Sequence, residues 1–473
     1  MNKTRKLFFY VLFDILSATL TWVIFFIYRK YNVSHTVFEH FTTAILQDTK
    51  LIIGMVALPV YWLFLYIFIG SYTHPFRKSR LLELEITLLT VFFGTLLFFF
   101  VFILDDVVNS PFDYLKYFLI LFLLQFFLTY IPRVLITTDT INKINSGKIG
   151  FRTLVIGSDI VALNVFQNII KQTPYTEKFI LGYIRVPEED DESIAEKLPC
   201  FGALADLPTI VKEHQINELV IAIQNGKRKL IETIITSIGD NRELMLKIIP
   251  QSHDYLIGNV KISALLQEPL ISVPTRYLPV WQGVIKRFMD ITFSIIAMII
   301  LLPLYLFCAI GVKLSSKGAV FYLQERIGIH GKPFQIIKFR SMFADAEKGT
   351  PQLSSKADTR ITKFGQFMRK TRLDEIPQFM NVLLGDMSLV GPRPERQFYI
   401  DQIVKVAPHY KLLLTIKPGM TSWGQVKFGY AENIDEMVER LKWDILYLDN
   451  MSLQTDIKIL IYTVLIVLKG AGK

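Results

Sequence analysis

The segment ITFSIIAMIILLPLYLFCAI covers Ile291–Ile310 without a single charge, and about 20 such residues suffice to cross the hydrocarbon core of a bilayer as a helix. Basic residues lie on both sides of it: Lys286, Arg287, Lys313 and Lys317. Neither flank is the less basic one, so a plain fifth span, the alternative, would defy the rule that positive flanks stay inside. Pro303 lies inside the segment and provides a place for the helix to bend. We therefore predict a re-entrant helix over 286–313 that enters and leaves at one membrane face.

Four further apolar runs occupy the first third of the chain: Leu7–Tyr28, Leu51–Gly70, Ile86–Leu104 and Tyr114–Ile131. The whole chain has 473 residues, 51% of them hydrophobic, and a net charge of +10, which excludes a disordered protein and argues against a wholly soluble one. We predict a transmembrane bundle of four helices over residues 1–138. Basic residues before the first run, between the second and third, and after the fourth predict that both ends of the bundle face the cytoplasm. Asp14, the one charge in the first run, is expected to have a partner or to snorkel.

Short β-branched runs alternate with helical stretches after Arg152 and predict a parallel α/β sheet. The expected strands are Leu154–Ile156, Phe179–Ile184, Glu218–Ile223 and Met245–Ile249. The first strand is followed by Gly157 and Ser158, and then by Asp159 where a dinucleotide fingerprint requires a second glycine. We therefore expect a structural or regulatory Rossmann-like domain over 150–250 without bound NAD, followed by a linker over 251–283.

The stretch from Val284 to Lys370 is strongly basic, with 14 Lys and Arg against 5 Asp and Glu. Anionic lipid head groups or phosphates are its natural partners, and a solvated basic face is the alternative. A nucleic-acid partner is disfavoured because no DNA- or RNA-binding motif accompanies the charge. Alternation along a strand at Lys338-Phe339-Arg340-Ser341-Met342 places Lys338 and Arg340 on one face, where the two cations suit a diphosphate.

The densest charged segment is RKTRLDEIPQ, Arg369–Gln378, in which adjacent Asp374 and Glu375 follow three cations within five residues. Pro377 suits the first turn of a helix through Leu384, whose free amides and dipole favour anions. One carboxylate can attack phosphorus while the other ligates a divalent metal, so the segment indicates phosphoryl transfer. A salt-bridge network that caps the helix is the alternative.

A second loop carries a preorganised arginine. Arg393 lies between Pro392 and Pro394, and the two prolines fix the backbone around its guanidinium. A planar guanidinium held in this way is well suited to bind phosphate.

Together the strings Lys338–Met342, Leu373–Gln378 and Gly385–Glu395 resemble the bacterial sugar transferases, the monotopic polyprenyl-phosphate glycosyl-1-phosphate transferases. The likeness covers about Lys286 to the C-terminus, and the four spans with a Rossmann-like domain resemble the larger members. Two residues depart from the family pattern: Leu302 stands where smaller members often have serine, and Ser422 stands at a position that is usually glycine.

The resemblance implies a catalytic sugar-phosphate transferase domain over 284–473, of α+β fold, with its soluble parts facing the cytoplasm from the bacterial inner membrane. Such enzymes transfer a sugar 1-phosphate from a UDP-sugar to undecaprenyl phosphate, release UMP and start a surface glycan. The implied roles are Asp374 as the nucleophile, Glu375 as its partner at Mg2+ or Mn2+, Arg393 as a phosphate-binding arginine and Pro303 as the helix breaker.

The full set of predicted substrate-binding cations is Lys338, Arg340, Arg369, Arg372 and Arg393. A non-catalytic membrane scaffold or regulator of glycan assembly is the alternative function, and an NAD-linked sugar-nucleotide enzyme is a weaker one. The sequence leaves open both the sugar and whether residues 1–280 form a homodimer.

Overall fold

The computed structural model describes residues 3–34, 48–73, 75–102, 111–172, 178–187, 191–223, 228–238, 241, 244–250, 270–272, 278–343, 358–429 and 431–468. The chain divides into two compact units. The first consists mainly of residues 1–150, and the second contains most of the rest. Most of the predicted linker over 251–283 lies outside the described residues.

The first unit is helical, as predicted. Its helices are α1 (Lys3–Ser34), α2 (Thr49–Ile69), α3 (Arg80–Phe102) and α4 (Pro111–Asn145). All four are long and apolar enough to cross a membrane. Aromatic side chains such as Trp22, Trp62 and Tyr66 fill the space between them.

Polar side chains also meet inside this bundle. Arg133 of α4 is fully buried and donates to both carboxylate oxygens of Asp14, at 2.9 and 2.7 Å. Lys78 pairs with the buried Glu83 at 3.0 Å. The prediction that Asp14 has a partner is confirmed.

The second unit begins with the predicted α/β sheet, whose strands are β1 (Thr153–Ile156), β2 (Ile180–Arg185), β3 (Cys200–Ala203), β4 (Glu218–Ile221), β5 (Met245–Ile248) and β6 (Ile271–Ser272). Their order is β3-β2-β1-β4-β5-β6, parallel except for the antiparallel β5–β6 pair. The helices that flank it are α5 (Ile160–Gln172), α6 (Leu207–Glu213) and α7 (Arg228–Ile238).

The start of α5 shows what Asp159 does. Its carboxylate accepts hydrogen bonds from the backbone amides of Val161 and Ala162. The side chain thus occupies the helix N-terminus where a dinucleotide-binding domain places its pyrophosphate.

A bent pair of apolar helices follows, α8 (Val280–Ile300) and α9 (Leu302–Ser315). The two helices meet at 64°, with Pro303 in the first turn of α9. The predicted bend at Pro303 is therefore present.

The remaining elements form the α+β domain. They are β7 (Phe321–Ile327), β8 (Pro333–Phe339), α10 (Lys363–Thr371), α11 (Gln378–Leu384), β9 (Ser388–Val390), α12 (Gln397–Val406), β10 (Gly419–Thr421), α13 (Trp423–Lys427), α14 (Ile434–Asp449) and α15 (Leu453–Leu468). Strands β7 and β8 form an antiparallel hairpin, whereas β9 and β10 pair in parallel. Ile459 of α15 is fully buried in the same cluster as Met387 and Val390, so the C-terminal helix packs on the domain.

Candidate active site

The acidic pair lies in a tight connection between two helices. Arg372 caps the C-terminus of helix α10. Its backbone adopts the left-handed conformation (φ 57°), and its amide donates to the carbonyls of Met368 and Arg369. This reversal leads directly into a single 3-10 turn, Leu373–Glu375, ahead of α11. Helix α11 spans Gln378–Leu384, as Pro377 predicted. Both acids therefore lie immediately before a helix N-terminus, where backbone amides favour anions.

The hairpin is tied to α11 through one side chain. Asn381 accepts from the amide of Ile337 at 3.0 Å and donates to the carbonyl of Gln335 at 2.7 Å. These two bonds satisfy backbone groups of β8 and fix its register against α11. As a result Lys338, the next residue along β8, reaches the acidic pair.

Glu375 is buried and surrounded by cations. Its Oε1 accepts from Lys338 Nζ at 2.9 Å, and Arg393 and Arg372 lie at 3.7 and 3.8 Å from its carboxylate oxygens. Burial alone would raise the pKa of this carboxyl, but the three cations outweigh burial and hold the pKa well below its usual range. Glu375 is therefore ionised at any physiological pH.

Asp374, unlike Glu375, is not ion-paired. The residue is 9% exposed, and within the described part of the chain its carboxylate has no ion pair or side-chain hydrogen bond. Burial and the repulsion of Glu375 raise its pKa to about 6, against the attraction of Lys338 and Arg369. A carboxylate that is ionised near neutral pH but not engaged by a cation keeps its lone pairs available for attack.

Arg393 is positioned by its loop and by a buried acid. A Cβ at Gly391 would lie 2.4 Å from the carbonyl oxygen of Lys417, so only glycine permits this approach, and the amide of Gly419 donates to the carbonyl of Pro392. The Arg393 guanidinium lies 3.9 Å from Glu395 as well as 3.7 Å from Glu375.

Glu395 in turn is held by two other arginines. Arg440 and Arg326 approach its carboxylate at 2.6 and 3.0 Å. Burial opposes ionisation of Glu395, but Arg440 and Arg326 lower its pKa on balance. The network thus keeps a negative charge beside Arg393, and the sequence prediction had assigned Glu395 no role.

The other predicted cations lie in different surroundings. Strand β8 ends at Phe339, so Arg340 lies one residue beyond the strand that was predicted to end in both cations. The Arg340 guanidinium donates to the carbonyls of Ser316 and Lys317, which follow α9. Arg369 Nε donates to the Ser341 hydroxyl at 2.9 Å. The structure brings Lys338, Arg372 and Arg393 to Glu375, and it ties Arg340 to the end of α9.

Polar residues of α8 anchor the bent pair to this domain. Lys286 donates to the carbonyl of Val390 and pairs with Asp456, and Arg287 donates to the carbonyls of Val382 and Leu383 at the end of α11. Asp290, one turn further along, accepts from the amide of Leu389 and the hydroxyl of Ser388.

The second arm of the bend also contacts this domain. On α9, Tyr305 donates to the carbonyl of Ile376, next to Glu375, and Cys308 packs in a cluster with Phe339 and Met368. The sequence analysis had interpreted Lys286 and Arg287 only as the basic flank of the apolar segment. Charged residues spaced along an otherwise apolar helix are nevertheless a signal that the helix packs against a polar domain surface.

The donor set of the acidic pair fits a Mg2+ ion. Mg2+ usually takes one or two protein carboxylates and completes its shell with substrate phosphates and water. Glu375 Oε1 is engaged by Lys338, so its Oε2 and the oxygens of Asp374 are the suitable ligand atoms. Across the described ranges, no three His, Cys, Asp or Glu side chains cluster as in an all-protein metal cage. Any ion here would therefore depend on the phosphates of a bound substrate.

Two family models match this chain, and the second match begins inside the helical bundle. The model of the bacterial sugar transferases matches residues 281–470, and that of a CoA-binding domain matches residues 68–244. A UDP-glucose:undecaprenyl-phosphate glucose-1-phosphate transferase of Caulobacter vibrioides is 36% identical over 181 residues, 38% of this chain and 68% of that protein. The chain belongs to the bacterial sugar transferase family.

Two larger alignments extend this likeness. A transferase of the same name from Xanthomonas campestris pv. campestris is 34% identical over 332 residues, 67% of this chain and 66% of that protein. A UDP-N-acetylgalactosamine-undecaprenyl-phosphate N-acetylgalactosaminephosphotransferase of Aeromonas hydrophila is 40% identical over 224 residues, 47% of this chain and 52% of that protein. In these two alignments the chain spans between half and two thirds of each relative's length.

Proposed function

We propose that this chain transfers a sugar 1-phosphate from a UDP-sugar to undecaprenyl phosphate and releases UMP. The observation that carries the proposal is the contrast within the acidic pair, in which Glu375 is ion-paired while Asp374 forms no ion pair with any described residue. The names of the relatives support the two substrates. We further propose that the reaction is the first membrane step of capsule, exopolysaccharide or O-antigen synthesis.

The reaction is proposed to proceed by two displacements at one phosphorus. A carboxylate oxygen of Asp374 attacks the sugar-bearing phosphorus of the UDP-sugar, an O–P bond forms, and the bond to the bridging oxygen breaks as UMP leaves. An oxygen of the lipid phosphate then attacks the same phosphorus and expels the Asp374 carboxylate. The products are UMP and a lipid diphosphate sugar, and the enzyme regains its carboxylate. Covalent catalysis of this kind divides one difficult transfer between two anions into two easier steps.

The surrounding cations have separate roles in this scheme. Lys338, Arg372 and Arg393 keep Glu375 ionised and surround the phosphates with positive charge, which stabilises the charge that develops on the leaving group. Mg2+, when bound by the two carboxylates and substrate phosphate, would neutralise the departing phosphate.

We propose that the bent pair α8–α9 places this chemistry at the level of the lipid head groups. Asp290 is docked on the domain, so only about 10 residues of α8 remain beyond it, roughly 15 Å of helix against a hydrocarbon core of roughly 30 Å. Because α9 returns to contact Phe339 and Met368 of the same domain, both arms end on one side. A re-entrant helix in the bacterial inner membrane, with the domain on the cytoplasmic face, fits these distances.

The decisive experiment measures UMP release by the full-length protein in nanodiscs with Mg2+. UDP-glucose, UDP-galactose and UDP-N-acetylgalactosamine are each supplied with and without undecaprenyl phosphate. Wild type is compared with Asp374→Asn and with the matched control Asp401→Asn, an exposed acid on α12.

We expect one donor to support multiple turnovers of UMP release that depend on the lipid, with a single equivalent released without it. The turnover rate should be retained in the Asp401 variant and reduced on the order of a thousandfold or more in Asp374→Asn. Without the lipid, intact-protein mass spectrometry of the wild type is expected to show one added sugar phosphate. Wild-type rates in Asp374→Asn would exclude the covalent scheme. An absence of both release and adduct with every donor would favour the scaffold alternative.

A further inference from the structure

A cleft of about 630 Å3 opens in the helical bundle, between the first turns of α1 and the last turns of α4. Four cations line it: Arg5, Lys6, Lys143 and Lys148. The single acid in the lining is Asp139, which pairs with Lys143 at 2.6 Å. The lining therefore carries an excess of 4 − 1 = 3 positive charges.

One of the four lining cations lies deep in the cleft. Lys6 is fully buried, and its ammonium donates to the carbonyl of Pro75 at 2.6 Å and lies 5.0 Å from the ring centroid of Phe76. Neither partner neutralises it. The buried ions Lys78 and Glu83 form a pair of their own, so the net charge at the cleft stays at the excess of 3 that its lining carries. An anion in the cleft would be attracted by these lining cations, at the low dielectric of a membrane boundary.

The cleft changes character along its length. On α1, Arg5 and Lys6 precede Phe9 and Phe13, and on α4, Leu135 and Ile136 precede Lys143. At 1.5 Å per residue, the basic and apolar residues of each helix are separated by roughly 12 Å at most. Both helices thus present cations at the end of the bundle and apolar side chains toward its middle.

A cleft with a basic end and an apolar part suits an amphiphilic ligand better than a free ion. Inorganic phosphate or a nucleotide would contact the cations and leave the apolar half of the cleft in water. A lipid with a phosphate head group contacts both, because its chains lie beside Phe13 and Leu135 while its head group meets the cations. Basic pockets at the ends of transmembrane helices bind anionic lipids by this combination.

We propose that the cleft between α1 and α4 binds the head group of one anionic phospholipid of the surrounding bilayer. The site is independent of the transferase domain, and all its residues belong to the first unit. It would hold the charged ends of the first and last helices of the bundle together through a shared anion.

The test compares two matched double variants of the full-length protein by native mass spectrometry in detergent. Arg5→Gln/Lys148→Gln removes two exposed cations at the cleft, and Lys50→Gln/Lys116→Gln removes two exposed cations elsewhere in the bundle. Each protein is titrated with dioleoylphosphatidylglycerol, with dioleoylphosphatidylcholine, which has the same chains and no net charge, and with undecaprenyl phosphate.

We expect the wild type and the Lys50/Lys116 variant to bind one phosphatidylglycerol in preference to phosphatidylcholine. The Arg5/Lys148 variant should bind it about 10- to 30-fold more weakly, since each of the two cations near an anionic head group contributes about three- to fivefold. Equal binding of the two phospholipids by the wild type, or an equal loss in both variants, would overturn the site. Displacement of bound phosphatidylglycerol by equimolar undecaprenyl phosphate would overturn its assignment to a bulk phospholipid.

Discussion

The helical bundle and the transferase domain both bury charged side chains, and the two regions arrange them differently. Within the described part of the bundle, each buried acid has a cation in contact: Asp14 receives two hydrogen bonds from Arg133, and Glu83 pairs with Lys78. In the transferase domain Glu375 is engaged by Lys338, but Asp374 beside it has no ion pair within the described residues. Among the described residues, the buried acids of the bundle are thus paired with cations, whereas Asp374 of the transferase domain is not.

This difference separates two uses of buried charge. Removing an ion from water costs several kcal/mol, and a well-placed counter-ion offsets much of that cost. The bundle follows this rule, so its ion pairs fix how the helices pack. Asp374 departs from it, and perturbed groups without a structural partner are found preferentially where a reaction needs them. The following variants test whether that distinction is real.

The largest effect on stability is expected from breaking the bundle pair. Arg133→Met leaves Asp14 buried without its guanidinium, and loss of one partner of a buried pair costs about 3–5 kcal/mol. The free energy of unfolding, measured with denaturant in mixed micelles, should fall by that amount.

Two controls accompany this variant. Arg133→Met/Asp14→Leu removes both charges and should recover most of the loss, because no uncompensated ion remains. Lys143→Met, which breaks a partly exposed pair, should change the unfolding free energy by less than about 1 kcal/mol. If Arg133→Met were as mild as Lys143→Met, the bundle pair would not have the structural role inferred for it.

The second prediction compares Lys338 and Arg340, which the sequence analysis had both assigned to substrate binding. Lys338→Met removes the cation on Glu375 and should lower kcat on the order of a hundredfold. Arg340→Met removes two hydrogen bonds to the carbonyls after α9, so it should lower the unfolding free energy by about 1.5–3 kcal/mol while kcat of the folded fraction stays close to wild type. The paired measurements are kcat and denaturant unfolding of both proteins. A folded Arg340→Met enzyme with a hundredfold lower kcat would return Arg340 to the predicted substrate-binding set.

This pair also shows how far sequence patterns reach. Alternation correctly predicted a strand through Lys338, because the pattern of β8 is local. The partners of Arg340 depend on a non-local contact, because its guanidinium donates to the carbonyls after α9, and no pattern near Arg340 predicts them. The four spans, the strands β1, β2, β4 and β5 and the helix after Pro377 were predictable for the same local reason.

Other features depended on contacts that the sequence does not reveal. Strand β3 is short and half exposed, and it carries no β-branched run, so its pairing with β2 has no local signal. The charge network of Glu395 joins Arg326, Arg393 and Arg440, which are far apart in sequence. The acidic pair was recognisable, but the unequal states of its two members follow from which cations the fold brings to Glu375.

A third prediction concerns pH. If Asp374 attacks as a carboxylate, kcat/KM for the UDP-sugar should fall about tenfold per pH unit below the pKa of about 6 and level off above it. The measurement is single-turnover UMP release without lipid acceptor, so ionisation of the lipid phosphate does not contribute. Glu375, whose pKa is held low, should add no second step in this range. A profile flat from pH 5 to pH 8 would contradict the assignment of Asp374 as nucleophile.

The last effect is a gain in stability. The folded-state pKa of Asp374, about 6, lies above the ordinary value of 3.8, so the folded protein binds this proton more tightly than the unfolded chain does. The contribution of Asp374 to stability is therefore fully present below about pH 4 and is lost as the pH rises through 6. Asp374→Asn does not titrate, so above pH 6 it should be more stable than wild type by up to about 3 kcal/mol, with no such gain at pH 4.

Glu375→Gln provides the opposite control for this last prediction. Its folded pKa is lowered, so its ionised form stabilises the fold above the unfolded pKa, and at neutral pH the variant should melt below wild type. Thermal unfolding of both variants between pH 4 and pH 8 tests the two signs together. If Asp374→Asn also melted below wild type at pH 7.5, Asp374 would be a stabilising charge like Asp14. The bundle and the transferase domain would then differ in the contacts of their buried acids, but those acids would have the same stabilising role.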